Sequence, residues 1–278
     1  MFGRFFRMPP DDALFPNNVV STVRKRAITF PFFGIVLPTV GVVASEIFLF
    51  YEFTAFALWG YFLTLIVCVF IPLYRSAEAE LLQMFALLPL FRLVNLGMPV
   101  FSELTLFWFP LVYAPVLPAV YLVIRAQPHL RPRFNCRAFG LLLVPTLIVS
   151  AFLGEVEWLI IAPEALITEW SLTQLLLMTV VMIGFVGFIE ELLFRGVLQT
   201  GLKAYFGQWG SILFVSALFG LMHSGYGSGL QLLFAGCLGL LYGATYEYTD
   251  SLLLVTVMHG VLNVFLFAVV PIYGPFIL

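Results

Sequence analysis

Charge is what this sequence has least of. Among 278 residues, 13 are Lys or Arg and 15 are Asp or Glu, 10% in all, where a soluble domain carries about 25%. That scarcity excludes a soluble globular domain. No basic run interleaved with aromatics is present to hold nucleic acid. Cysteine is scarce as well. Cys68, Cys136 and Cys237 lie far apart with no Cys-x-x-Cys pair, which argues against a disulfide framework or a cysteine zinc site. The three histidines form no His-Glu-x-x-His helix pair, and no serine or cysteine nucleophile has an evident base beside it. Gly225-Tyr226-Gly227-Ser228-Gly229 lacks the Gly-Lys-Ser/Thr ending of a phosphate loop and reads as a tight extracytoplasmic turn.

Hydrophobic residues are what is there instead: 62% of the chain, with a mean hydropathy of +1.06. Long apolar runs, not ten-residue alternating segments, specify an all-α polytopic membrane protein. Spans are expected near 27–50, 53–74, 80–101, 104–124, 138–162, 172–202, 210–224, 229–248 and 251–273, so the count is eight or nine. Arg92 and Asn95 interrupt the third, and Pro110, Pro115 and Pro118 should kink the fourth. The sequence divides into an N-terminal cytoplasmic or interfacial segment (1–26), a set of N-terminal helices (27–136) and a C-terminal region (137–278). With a cytoplasmic N-terminus and nine spans, Arg24-Lys25-Arg26, Arg75, Arg125, Arg131, Arg133, Arg137 and Lys203 all fall inside. The acids Glu52, Glu103, Glu155, Glu157, Glu164 and Glu169 fall outside.

Polar groups left within the C-terminal spans need a reason, because an ionisable group at the bilayer centre costs about 2.5–3.5 kcal/mol on insertion scales. Glu190-Glu191-Leu192-Leu193-Phe194-Arg195 carries three of them. Glu191 and Arg195 share a helix face four residues apart and can pair; Glu190 points elsewhere. His223 follows Phe219 by four, and Asn263 follows His259 by four. His129 sits in the basic loop, where solvation suffices. Counted along the helices, His259 lies about 12 Å and His223 about 18 Å from the inner face. With a tilt of the Glu190 helix, the groups can meet in the inner half of the bilayer, in a cavity open to the cytoplasm. Glycines at 184, 187, 220, 236, 239 and 243 permit close helix packing there.

A glutamate, two histidines and an asparagine suffice for hydrolysis: a carboxylate can take a proton from water, and amide and imidazole N–H groups can hold an oxyanion. Glu190-Glu191-x-x-x-Arg195, Phe219-x-x-x-His223 and His259-x-x-x-Asn263, in that order, resemble the three motifs of the CAAX protease and bacteriocin-processing (CPBP) family of intramembrane glutamic endopeptidases. The resemblance covers about 172–268. It implies that Glu190 activates water with His223, that His259 and Asn263 form the oxyanion hole, and that Glu191, Arg195 and Phe219 support them. It further implies no cofactor and no metal, a setting in membrane lipid, and a peptide or protein substrate, prenylated at its C-terminus in CAAX members. Two other classes stay open from the residues alone. One is a zinc-dependent membrane hydrolase with Glu190, His223 and His259 as ligands. The other is a non-catalytic scaffold or immunity protein in which the same groups fix helix packing. A transporter would predict paired broken helices in both halves, and none is legible.

Overall fold

Prolines, glycines and short polar stretches cut the apolar chain into helices. The computed structural model describes residues 31–98, 105–167 and 170–276, and every regular element among them is helical. The segment 1–26, with its arginines, lies outside the described residues, as do Glu103 and Glu169. Eight helical runs among the described residues are long and apolar enough to cross a membrane, and the chain is an integral, multi-pass membrane protein.

The first runs are α1 (Leu37–Phe50), α2 (Thr54–Tyr74) and α3 (Ala79–Gly97). The fourth is α4 (Thr105–Tyr113), joined to α5 (Leu117–Ala126) by one tight turn over Ala114–Val116. The interruption falls among its prolines: Pro110 lacks an intrahelical donor, Pro115 lies in the turn, and Pro118 lies in the first turn of α5. α6 (Cys136–Ile161) begins at an Asn135 cap, whose side chain accepts from the Ala138 N–H at 3.1 Å. α10 (Gly229–Thr249) and α11 (Leu252–Val264) follow the longest run, and α12 (Val270–Tyr273) continues α11 after a wide turn.

That longest run, Leu172–Tyr226, spans 55 residues. It comprises α7 (Leu172–Val181), α8 (Phe188–Glu191) and α9 (Thr200–Leu221), joined by π-helical turns at Met182–Gly187 and Leu192–Gln199. Two separate spans were expected here. No polar loop divides them; the chain turns at Gly207, whose φ of 69° a residue without Cβ adopts readily. The expected boundary is therefore present: two helices meet at Gly207, where the backbone leaves the helical region.

Apolar side chains cover the outside of the bundle as well as filling its core. Leu141, Val144 and Ile148 on α6 are each about two-thirds exposed, whereas Glu46, Glu155, Glu157, Glu191 and Arg195 are buried. Apolar side chains facing outward suit lipid, and charged ones turned inward find partners there. Glu155 and Glu157, counted above with the outside acids, lie in the last turns of α6 and face the interior.

One end of the bundle is fastened by charge. Arg133 pairs with Asp250 and Lys203 with Glu247, while the Leu252 N–H donates to the Arg133 carbonyl at 2.8 Å. Asn135 donates to the Thr249 carbonyl at 3.0 Å. The loop before α6, the α10–α11 turn and the start of α9 are thus held together.

Candidate active site

Two glycines set the geometry. A Cβ on Gly187 would stand 2.7 Å from the Thr256 carbonyl oxygen, and one on Gly260 would stand 2.5 Å from Cα of Ile183. The π-helical turn before α8 and the middle of α11 therefore touch backbone to backbone. Glu190 follows Gly187 by less than a turn, and His259 precedes Gly260, so the crossing delivers both side chains to one place.

There, Oε2 of Glu190 lies 3.9 Å from Nε2 of His259. The distance is too long for a direct hydrogen bond and suits a bridging atom. The other ring nitrogen, Nδ1, is 2.8 Å from Oε1 of Glu191. That oxygen also accepts from Nη1 of Arg195 at 3.1 Å, and Nη2 of Arg195 donates to the Gly239 carbonyl at 3.1 Å. The Arg195 guanidinium lies 4.6 Å from the centre of the Phe219 ring and 5.4 Å from that of Tyr242. A fully buried cation is thus met by a carboxylate, a carbonyl and two π faces, each of which offsets its desolvation. The expected Glu191–Arg195 pair is present, and it reaches further than expected: Glu191 joins the arginine to His259.

His223 ends the arm that carries Phe219. Its Nδ1 is 2.8 Å from the Phe219 carbonyl, which can only accept, so Nδ1 donates. Asn263 lies one turn beyond His259 on α11. Glu190, His223, His259, Asn263 and Phe219 all line one cavity of about 320 Å³, within the usual range for a ligand site. The four residues expected to carry chemistry are brought together; Glu191 and Arg195 lie behind them.

The cavity wall holds residues that the sequence reading did not assign. Tyr113, the last residue of α4, donates its hydroxyl to Oε1 of Glu190 at 2.5 Å. Glu157 on α6 lines the cavity and accepts from Gln231 at 2.5 Å. Arg92, whose role was open, lines the cavity and makes a two-pronged pair with Glu46, at 2.7 and 2.8 Å. Arg92 also donates to the Met222 carbonyl, and Ser224 donates to Glu46 at 2.5 Å. The residues on either side of His223 are therefore tied to α1 and α3. Glu46 carried the same signal as Glu190, an acid inside an apolar run. Tyr113 carried none.

Ser251 and Lys203 belong to the charged end described above; at 1.5 Å per residue His259 lies about 12 Å from it and Glu190 about 20 Å. Asn95, Gly225 and Tyr226, which also line the cavity, come from the opposite ends of their helices.

Among the described residues, no group of three His, Cys, Asp or Glu converges closely enough to hold a metal ion. Fold and cavity together define a polytopic helical membrane protein with a carboxylate–imidazole site inside its helix bundle. Residues 172–265 match the family described as Rce1-like, Type II CAAX prenyl endopeptidase Rce1-like. A CAAX-protease-like domain therefore occupies about the last third of the chain and contains the three polar motifs. No curated protein and no solved structure matches the chain.

Proposed function

We propose that the protein is an intramembrane endopeptidase in which Glu190 activates a water molecule. The observation that carries this reading is the meeting of Glu190, His223, His259 and Asn263, from three separate helical stretches, around one cavity. A water between Oε2 of Glu190 and Nε2 of His259, 3.9 Å apart, has hydrogen-bond partners on both sides. As its oxygen bonds to a peptide carbonyl carbon, its proton passes to Glu190 and the carbonyl oxygen becomes an oxyanion. Asn263 donates to that oxyanion through its amide. Collapse breaks the C–N bond, and the proton held by Glu190 leaves on the amine product.

The ring nitrogens divide the histidine roles. Both Nδ1 atoms face acceptors, the Phe219 carbonyl and the Glu191 carboxylate. In neutral rings both Nε2 atoms are then acceptors. His223 fits a partner that accepts from the water. His259 donates to an oxyanion only as an imidazolium, whose charge would lie between Glu190 and Glu191.

The substrate in this reading is a peptide segment that reaches the cavity from lipid, of the CAAX type or related to it. The residues of 137–278 supply the chemistry and those of 27–136 wall it. We retain the orientation with the Arg133–Lys203 end in the cytoplasm, which its basic residues favour. By helix rise the cavity then sits at mid-depth to outer depth, in place of the inner half. Comparing membrane-protein termini by mass spectrometry in cells bearing wild-type or Glu190→Gln chains tests the function. New termini that depend on Glu190 are expected; identical termini would refute it.

A further inference from the structure

The part of the site least explained by the matched domain is Tyr113, which lies on α4, well outside residues 172–265. Its hydroxyl is 2.5 Å from Oε1 of Glu190. A carboxylate can only accept, so the phenol donates. Both residues are buried, Tyr113 at 6% and Glu190 at 9% exposure. The Tyr113 ring is fixed on two sides: Phe91 meets it edge-on with centroids 5.0 Å apart, and Phe109 lies at 6.4 Å. Its backbone is fixed too, because α4 gives way to the Ala114–Val116 turn immediately after it, with Pro115 inside that turn. This is a donor with little freedom, aimed at one oxygen of the carboxylate.

We infer that Tyr113 is a positioning residue for Glu190, a role that rests on the catalytic reading above. The two carboxylate oxygens are divided. Oε1 is held by the phenol, and Oε2 faces Nε2 of His259. Tyr113 thereby fixes the plane of the carboxylate and designates Oε2 as the oxygen that takes the proton from water. Without it, Glu190 rotates about its last torsion, which is broad and weakly restrained, and the proton acceptor loses its alignment with the attacked carbonyl. The first half of the chain then does more than wall the cavity: α4 completes the catalytic geometry of the second half.

The test uses the full chain, purified in lipid nanodiscs, with a fluorogenic prenylated CAAX-type peptide as probe. Infrared difference spectra assign the Glu190 carboxyl band as the one missing in Glu190→Gln. Tyr113→Phe removes one hydroxyl and keeps the ring. It should displace that band without abolishing it, and should lower kcat roughly ten- to a hundredfold with KM unchanged, as expected for lost alignment. A band that stays in place overturns the contact. A displaced band with unchanged kcat overturns the positioning role. Full activity in Glu190→Gln overturns the catalytic reading itself, and is seen separately from either result. Should Tyr113→Phe not fold, a ring-fluorinated tyrosine at 113 is isosteric and a stronger donor; it should move the same band in the direction of a tighter hydrogen bond, and no movement overturns the proposal.

Discussion

One oxygen of Glu191 holds His259 in place: Oε1 lies 2.8 Å from the ring Nδ1, and the same atom lies 3.1 Å from Nη1 of Arg195. The carboxylate that looked like half of a local ion pair is the joint between α8 and α11. Removing it should act on the fold and on the site through different atoms. In Glu191→Ala the Arg195 guanidinium stays buried without its counter-charge, a situation that costs about 3–5 kcal/mol. Unfolding in mixed micelles should show a loss of that size. Glu191→Gln keeps an oxygen that can accept from His259 and should lose less. A Glu191→Gln variant as stable as the wild type would mean that Glu191 only fills space.

The polar site was legible because bilayer burial makes each such group conspicuous. Glu190, His223, His259 and Asn263 stood out against apolar runs, and helical spacing already grouped them in pairs. Glu46 carried the same signal and was not singled out: it lies far from the motif region, its partner Arg92 is distant in sequence, and only tertiary packing joins them. Tyr113 was hidden for another reason. A tyrosine in an apolar helix is chemically unremarkable, so nothing local distinguishes a donor to Glu190 from a packing ring. The boundary at Gly207 was legible, although the positive φ that makes it leaves no mark beyond the glycine itself.

Glycine positions supply a second prediction with its own control. A methyl group on Gly260 would meet the Ile183 backbone at 2.5 Å, whereas one on Gly184 meets nothing within 4 Å. Gly260→Ala must push α11 away from the turn at Met182–Gly187, carrying His259 away from Glu190. A loss of about 1–3 kcal/mol is expected from overpacking, with activity falling further than stability does. Gly184→Ala should be near neutral in both measurements. Matching behaviour of the two variants would show that the crossing does not set the site.

Metal dependence separates the glutamate mechanism from the zinc alternative. Zinc hydrolases hold the ion with three protein ligands and leave one position open, and the described residues bring no such trio together. After exhaustive chelation, with metal content checked by elemental analysis, cleavage should persist at its starting rate. Loss of activity restored by stoichiometric zinc would favour the other mechanism.

The Glu46–Arg92 pair gives the last prediction. Both oxygens of Glu46 are engaged by Arg92, at 2.7 and 2.8 Å, and the second also accepts from Ser224 at 2.5 Å. Arg92 in turn donates to the Met222 carbonyl. These bonds bracket His223, so the pair should matter to activity although neither residue belongs to the three motifs. Arg92→Met leaves a buried carboxylate unpaired and should cost about 3–5 kcal/mol. Adding Glu46→Gln removes that stranded charge, so the double variant should recover much of the stability. The Met222 carbonyl still lacks its donor in the double variant, and His223 still lacks its anchor to α3. Stability should therefore return while kcat stays low. Recovery of both together would show that the pair supports the fold alone; recovery of neither would show that its two residues act independently.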